Sequence, residues 1–232
     1  MTPGKRQAHQ SACAWLTRPW PSRRTVPTPM FFWPKRRRNS KQAAALYAQG
    51  VAAGERGLGE KDFAEGVGHF WGIVKTRPYM RARLGLAESL WQIGQRAEAI
   101  NHLWEMLRLN PGDNQGVRYL LLAWLLADGD NAQAKKLMEG YPGDGAASWL
   151  YGRCLLAFRT EGNSEHARQS LSVAIAANRH VPAYLLRRKR MPTYLPDTYT
   201  LGSENEAVIC VDEQAEAWNS SPAALRWLEG SR

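Results

Sequence analysis

The sequence predicts an all-α protein: a right-handed α-α solenoid of helical hairpins, with an atypical C-terminal helical cap and a disordered N-terminal leader. Three observations predict it. Pro78 and Pro111 stand 33 residues apart, and a helical pattern follows each. Small residues recur where paired helices would have to cross. The net positive charge sits wholly at the N-terminal end, outside the repeating part.

The most regular unit lies between those prolines. Tyr79 to Trp91 reads as a helix with Leu84, Ala87 and Trp91 on one face, at the i, i+3, i+7 spacing of an apolar stripe. Gly94 marks a turn, and Ala97 to Leu107 reads as a second helix whose buried face carries Ala99, Leu103 and Met106. Two helices joined by so short a turn must lie antiparallel. The pattern resembles the tetratricopeptide repeat: Ala87 and Ala99 are the small residues at the crossing, and Pro111 ends the unit. The preceding unit, about 45–79, is weaker, because Gly57, Gly59, Gly66 and Gly68 are poor helix formers, each costing roughly 1 kcal/mol against Ala. The next unit, about 114–146, has an apolar helix from Tyr119, with Asp113 as its cap, a turn at Asp128-Gly129-Asp130 and a helix over Ala132 to Met138. A further unit runs about 147–181 and turns at Glu161-Gly162-Asn163-Ser164. Three to four such hairpins would occupy residues 41–190 and bury a continuous core.

Residues 191–232 break the repeat. A connection with Pro192 and Pro196 leads to Ser203-Glu204-Asn205-Glu206, a capping-box spacing that opens a helix through Trp218. Ser221-Pro222 opens a short last helix that ends near Gly230, with Ser as cap and Pro in the first turn. Trp218, Leu225, Trp227 and Leu228 are placed to cover the open end of the core. Asn178-Arg179-His180-Val181-Pro182-Ala183-Tyr184-Leu185-Leu186, then Met191-Pro192, Gly202 to Val208, Ala217-Trp218 and Ala224-Leu225 together resemble the tail of the suppression-of-tumorigenicity-seven family. The resemblance covers roughly 80–228. Arg179 stands where that family usually has Pro, and the membrane spans of its animal members are missing. The resemblance implies a helical-repeat protein without established catalytic residues.

The leader, residues 1–40, is a different material. The chain has 232 residues and a formal charge of +10, from 31 Lys and Arg against 21 Asp and Glu. The first acidic residue is Glu55, ten basic residues precede it, and the remainder is balanced. Six of the 13 prolines fall in residues 1–34, a density that blocks helix interiors and sheet ladders. Three readings stay open: an electrostatic arm for nucleic acid or anionic membrane, with Lys35, Arg36, Arg37 and Arg38 as its basic patch beside Phe31, Phe32 and Trp33; a transit peptide; and an extension upstream of a start at Met30. The longest apolar run, Tyr119 to Ala127, is nine residues, well short of the roughly 20 that cross a bilayer. Three scattered cysteines suit a reducing, cytoplasmic setting.

No catalytic constellation is legible. Glu98 and His102, at i, i+4, read as a surface contact. Phosphate loops, dinucleotide fingerprints and nucleophile elbows are missing. Neither a cofactor, a metal nor a small-molecule substrate is expected. Trp71, Trp91, Trp104, Trp124 and Trp149 recur about once per helix and read first as core. Groove positions fall on the first helix of each unit, which nominates Arg81, Glu88 and Trp91, then Asn114, Gln115 and Arg118, as a surface for a protein or peptide partner. Leu84 and Glu88 stand where a carboxylate clamp would need a cation and Asn, which disfavours capture of a C-terminal carboxylate. Arg187-Arg188-Lys189-Arg190 reads as the end of a helix begun near Val181, its cations set against the dipole; nuclear import or RNA contact is the alternative. The chain therefore reads as a non-enzymatic scaffold or adaptor that binds a protein through its concave face, with nucleic-acid or anionic-membrane association through the leader as the alternative.

Overall fold

The computed structural model describes Val26–Pro27 and residues 39–231. The expectation of a disordered leader falls, apart from Val26–Pro27, outside the described residues. The all-α expectation holds: apart from one two-residue ladder, every regular element is helical. The described residues form two compact units divided between Leu121 and Leu122, so the apolar helix predicted from Tyr119 contributes to both.

The first unit opens with α1 (Ser40–Gly66), where Asn39 Oδ1 accepts from the Gln42 amide at 3.4 Å. Of the glycines read as weak points, Gly59 breaks the helix and Gly66 ends it, while Gly57 stays helical. The helix passes through Gly50, Gly54 and Gly57 and is interrupted only at Gly59, at φ 69° and ψ 170°. Gly50 and Gly54 serve close approach. A Cβ on Gly54 would stand 2.9 Å from the Tyr79 ring, and one on Gly50 would stand 3.3 Å from Ala82. Both partners lie on α2 (Arg77–Gln92), so the glycines form the crossing surface. Two short 3-10 turns, Phe70–Gly72 and Val74–Thr76, join α1 to α2. Phe70 is fully buried there, stacked on Phe63 at 5.2 Å and edge-on to Tyr79 at 5.9 Å. Pro78 sits in the first turn of α2, where its missing N–H is not needed. Gly94, at φ 85°, turns the chain into α3 (Arg96–Leu109). Ala87, Ala99 and Leu103 are fully buried, as the repeat pattern requires.

Asp113 then organises the entry to α4 (Val117–Asp128). At φ 43° it turns back on the chain, and its carboxylate accepts from the amides of Val117 at 2.7 Å and Arg118 at 3.0 Å. The predicted cap is therefore present, although it acts from four residues before the helix.

In the second unit, Asp130 caps α5 (Asn131–Glu139) and Ser164 caps α7 (Glu165–Ala177). Between them lies α6 (Ala147–Glu161), which packs on both and holds Trp149, Tyr151, Cys154 and Leu155 fully buried. Gly152 lets α6 approach α4: a Cβ there would stand 2.8 Å from Leu122. A short α8 (Val181–Leu185) precedes an irregular connection. Within that connection β2 (Thr198–Tyr199) pairs antiparallel with β1 (Val26–Pro27), with Val26 opposite Tyr199. This pairing is a strand inside a segment predicted to have none. Then come α9 (Glu204–Asn219) and α10 (Pro222–Gly230). Trp218 and Leu228 are buried, whereas Leu225 and Trp227 are half-buried.

Two caps read from sequence work differently. Ser203 Oγ accepts from the Glu206 amide at 3.2 Å, one half of a capping box. The Glu206 carboxylate does not return to the Ser203 amide. It is buried, and accepts from the Ala147 amide at 2.9 Å, Asn178 Nδ2 at 2.9 Å and the Gly202 amide at 2.6 Å. Ser221 does not cap α10; its Oγ accepts from Arg159 Nε at 2.6 Å. In both cases a long-range donor outcompetes the local one. The basic run is also corrected. The helix from Val181 ends at Leu185, before the run. Arg187 takes φ 55°, and the amides of Arg188 and Lys189 bond the Ala183 carbonyl, so backbone groups close this helix end and the four side chains are exposed.

Candidate functional site

The nominated groove residues do not form one surface. Arg81 is exposed, Glu88 half-buried and Trp91 buried, with the Arg96 guanidinium 4.4 Å above its indole. Asn114 is exposed and accepts from Asn110 Nδ2 at 3.3 Å, while Gln115 is half-buried. Arg118 is the clear correction. It is 4% exposed, donates to Asp113 at 2.8 Å and Tyr119 Oη at 2.6 Å, and lies 4.3 Å from the Tyr119 ring. Its charge is spent inside the unit, where burial favours pairing with the nearest carboxylate. Trp124 and Trp149 are buried, whereas Trp71 and Trp104 are half-buried. Lys35, Arg36, Arg37 and Arg38 lie outside the described residues.

What the structure does bring together is Trp71 with two arginines of α2. The guanidiniums of Arg77 and Arg81 lie 5.4 and 5.6 Å from the Trp71 ring. Arg77 Nε donates to the Trp71 carbonyl at 3.0 Å, and the Trp71 amide donates to Asn110 Oδ1 at 3.4 Å. These bonds hold the Trp71 backbone, and the indole is half-buried. Val74, 71% exposed, stands between them in sequence. Trp and Arg are the residue types that most often carry interface energy. Arg81 was legible as a candidate. Trp71 was readable as core or, alternatively, as an aromatic binding edge; Arg77, the first residue of α2, carried no signal of its own.

A second group of polar residues lies half-buried in the first unit. Arg83 hydrogen-bonds Tyr79 Oη and stands 4.0 Å from Glu55. Burial pushes the Tyr79 hydroxyl up, opposed by Arg83 and helped by Glu55. Burial holds the His102 ring below its ordinary pKa, and Arg83 adds to the effect against Glu98. Bonds from Arg108, at 2.6 and 2.7 Å, hold the Glu105 carboxyl low. Arg83 Nε and His102 Nδ1 are buried without a partner. The His102–Glu98 surface contact expected from sequence is thus a semi-buried histidine answering mainly to its burial and to Arg83.

In the second unit, Arg159 ties element ends together, donating to the carbonyls of Leu126 and Ala217 and to the hydroxyls of Ser220 and Ser221. Burial pushes the Cys154 thiol up to about 12 and the Cys210 thiol well above its usual value, so neither is a ready nucleophile. A cleft of about 590 Å³ is lined by Arg168, Leu171, Ser172, Ile175 and Trp227. Trp227 stacks on Phe158 at 4.6 Å and donates to Asn163 Oδ1 at 2.9 Å. Among the described residues no group of three or more His, Cys, Asp and Glu is placed to hold a metal ion, and no helix is long and apolar enough to cross a membrane.

Comparison of the chain with protein-family models, curated proteins and solved structures returns no match.

Proposed function

We propose that the protein is a non-enzymatic adaptor, a tetratricopeptide-like solenoid that binds a protein or peptide partner through the first helices of its hairpins. One observation carries the reading: the guanidiniums of Arg77 and Arg81 lie 5.4 and 5.6 Å from the half-buried Trp71 ring, and Val74, three residues on in sequence, is exposed. An indole so placed offers a rigid apolar contact, and each guanidinium keeps donors for a carboxylate of the partner. The partner is therefore a peptide with an aliphatic or aromatic anchor and adjacent acidic residues. The repeat spacing between Pro78 and Pro111 and the buried small residues at the α2–α3 crossing support the solenoid.

Affinity purification with the full chain, followed by mass spectrometry, tests the proposal. A partner retained by the parent protein and by Val173→Glu, an exposed control in α7, is expected to be lost with Arg81→Glu and with Trp71→Ala. Equal recovery with Arg81→Glu and the parent refutes this binding surface.

A further inference from the structure

We propose that the connection after α8 is a binding site for single-stranded nucleic acid. Arg187, Arg188, Lys189 and Arg190 are all exposed and lie off any helix. Arg188 is paired with Glu229 at 2.8 Å, and Lys189 with Glu204. Arg187 and Arg190 make no ion pair among the described residues and keep their guanidinium forks for an external anion. Such forks match phosphate oxygens bidentately. Four residues after Arg190 stands Tyr194, 86% exposed. An aromatic ring open to solvent beside a basic run is the combination that stacks a base while the cations follow the backbone.

The charge of the site comes from the run itself, four cations in succession from Arg187 to Arg190. Asp197, Glu204 and Glu229 oppose this charge but do not cancel it.

The geometry favours a single strand over the other anionic surfaces. A duplex groove is read by a helix or a long ribbon, whereas α8 has five residues and the ladder two per strand. Insertion into a bilayer interface needs an apolar face, yet Met191 and Leu195 on either side of Tyr194 are half-buried. One exposed ring suffices to stack a base.

The test is fluorescence anisotropy of a labelled single-stranded homopyrimidine oligonucleotide with the full chain. Affinity is expected to fall steeply between ~50 and ~200 mM salt. Arg187→Gln/Arg190→Gln should flatten the slope of log affinity against log salt by about 1.4, the release expected from two phosphate contacts on a single strand. Tyr194→Ala should weaken binding roughly 5- to 150-fold with the slope unchanged. These positions are exposed and lie outside the helices, and an unchanged helical circular dichroism spectrum confirms that each variant folds. No binding at low salt overturns the proposal. So does equal affinity of parent and variants, or binding confined to phosphatidylserine vesicles and lost in the same variants.

Discussion

Glycine-to-alanine exchanges in this protein should go in opposite directions according to what faces the glycine. Gly57 lies inside α1 with nothing within 4 Å of an added Cβ. Gly57→Ala removes helix-opposing backbone freedom and should stabilise the first unit by about 0.4–1 kcal/mol. Gly152 lies inside α6, and an added Cβ would stand 2.8 Å from Leu122 Cδ2 and 3.5 Å from Gln214 Nε2. Both neighbours are fully buried, so neither can swing into solvent. Overpacking of this kind costs about 1–3 kcal/mol, and the helix gain offsets at most about 1 kcal/mol of it. Gly152→Ala should therefore destabilise the second unit by about 1–2 kcal/mol. At the size of this chain that is a fall of ~2–8 °C in melting temperature, against a rise of ~1–4 °C for Gly57→Ala. Differential scanning calorimetry reads both. A Gly152→Ala protein that melts at or above the parent would refute the close approach of α6 to α4.

Three further outcomes follow from the polar groups. Asp113→Ala leaves Arg118 buried without its carboxylate, which should cost about 3–5 kcal/mol and show as a lower urea midpoint; an unchanged midpoint would mean that the pair is dispensable. His102 has its folded pKa below its unfolded value of 6.5. The folded form therefore binds fewer protons in that window, and the stabilisation it gives is present above pH 6.5 and lost as pH falls through the lowered value. The melting temperature of the first unit should drop on acidification below that point, and His102→Gln should flatten the drop. Arg159→Met strips donors from the carbonyls of Leu126 and Ala217 and should cost about 1–3 kcal/mol, checked by chemical denaturation; a change within error would show that other donors replace it.

Local signals carried the elements well because their causes are local. Gly94, Gly129 and Gly162 were readable as turns and take φ of 85°, 81° and 67°; only a residue without Cβ adopts that backbone at no cost. The buried faces of α2 and α3 were readable from apolar spacing, since side chains three and four apart share a face. The candidate site was less legible. Arg81 stands at the surface as expected, whereas Arg118, nominated on the first helix of the next unit, is buried against Asp113. Periodicity assigns a face to a residue and says nothing of whether a carboxylate five positions earlier turns back to claim it.

By itself the sequence determined that the protein is helical, where its hairpins turn, and that its net charge belongs to the first 54 residues. Each of these depends on backbone freedom, side-chain period or a sum of charges, all written residue by residue. Tertiary structure decided the rest. It made Gly50 and Gly54 of α1 a packing surface, sent the Glu206 carboxylate to Ala147 and Asn178, gave Ser221 to Arg159, and set two arginines near Trp71. It also paired Val26–Pro27 with Thr198–Tyr199. The physical reason is common to all of them. A polar group or an open surface takes the best partner that folding brings within reach, and that partner is often far away in the chain.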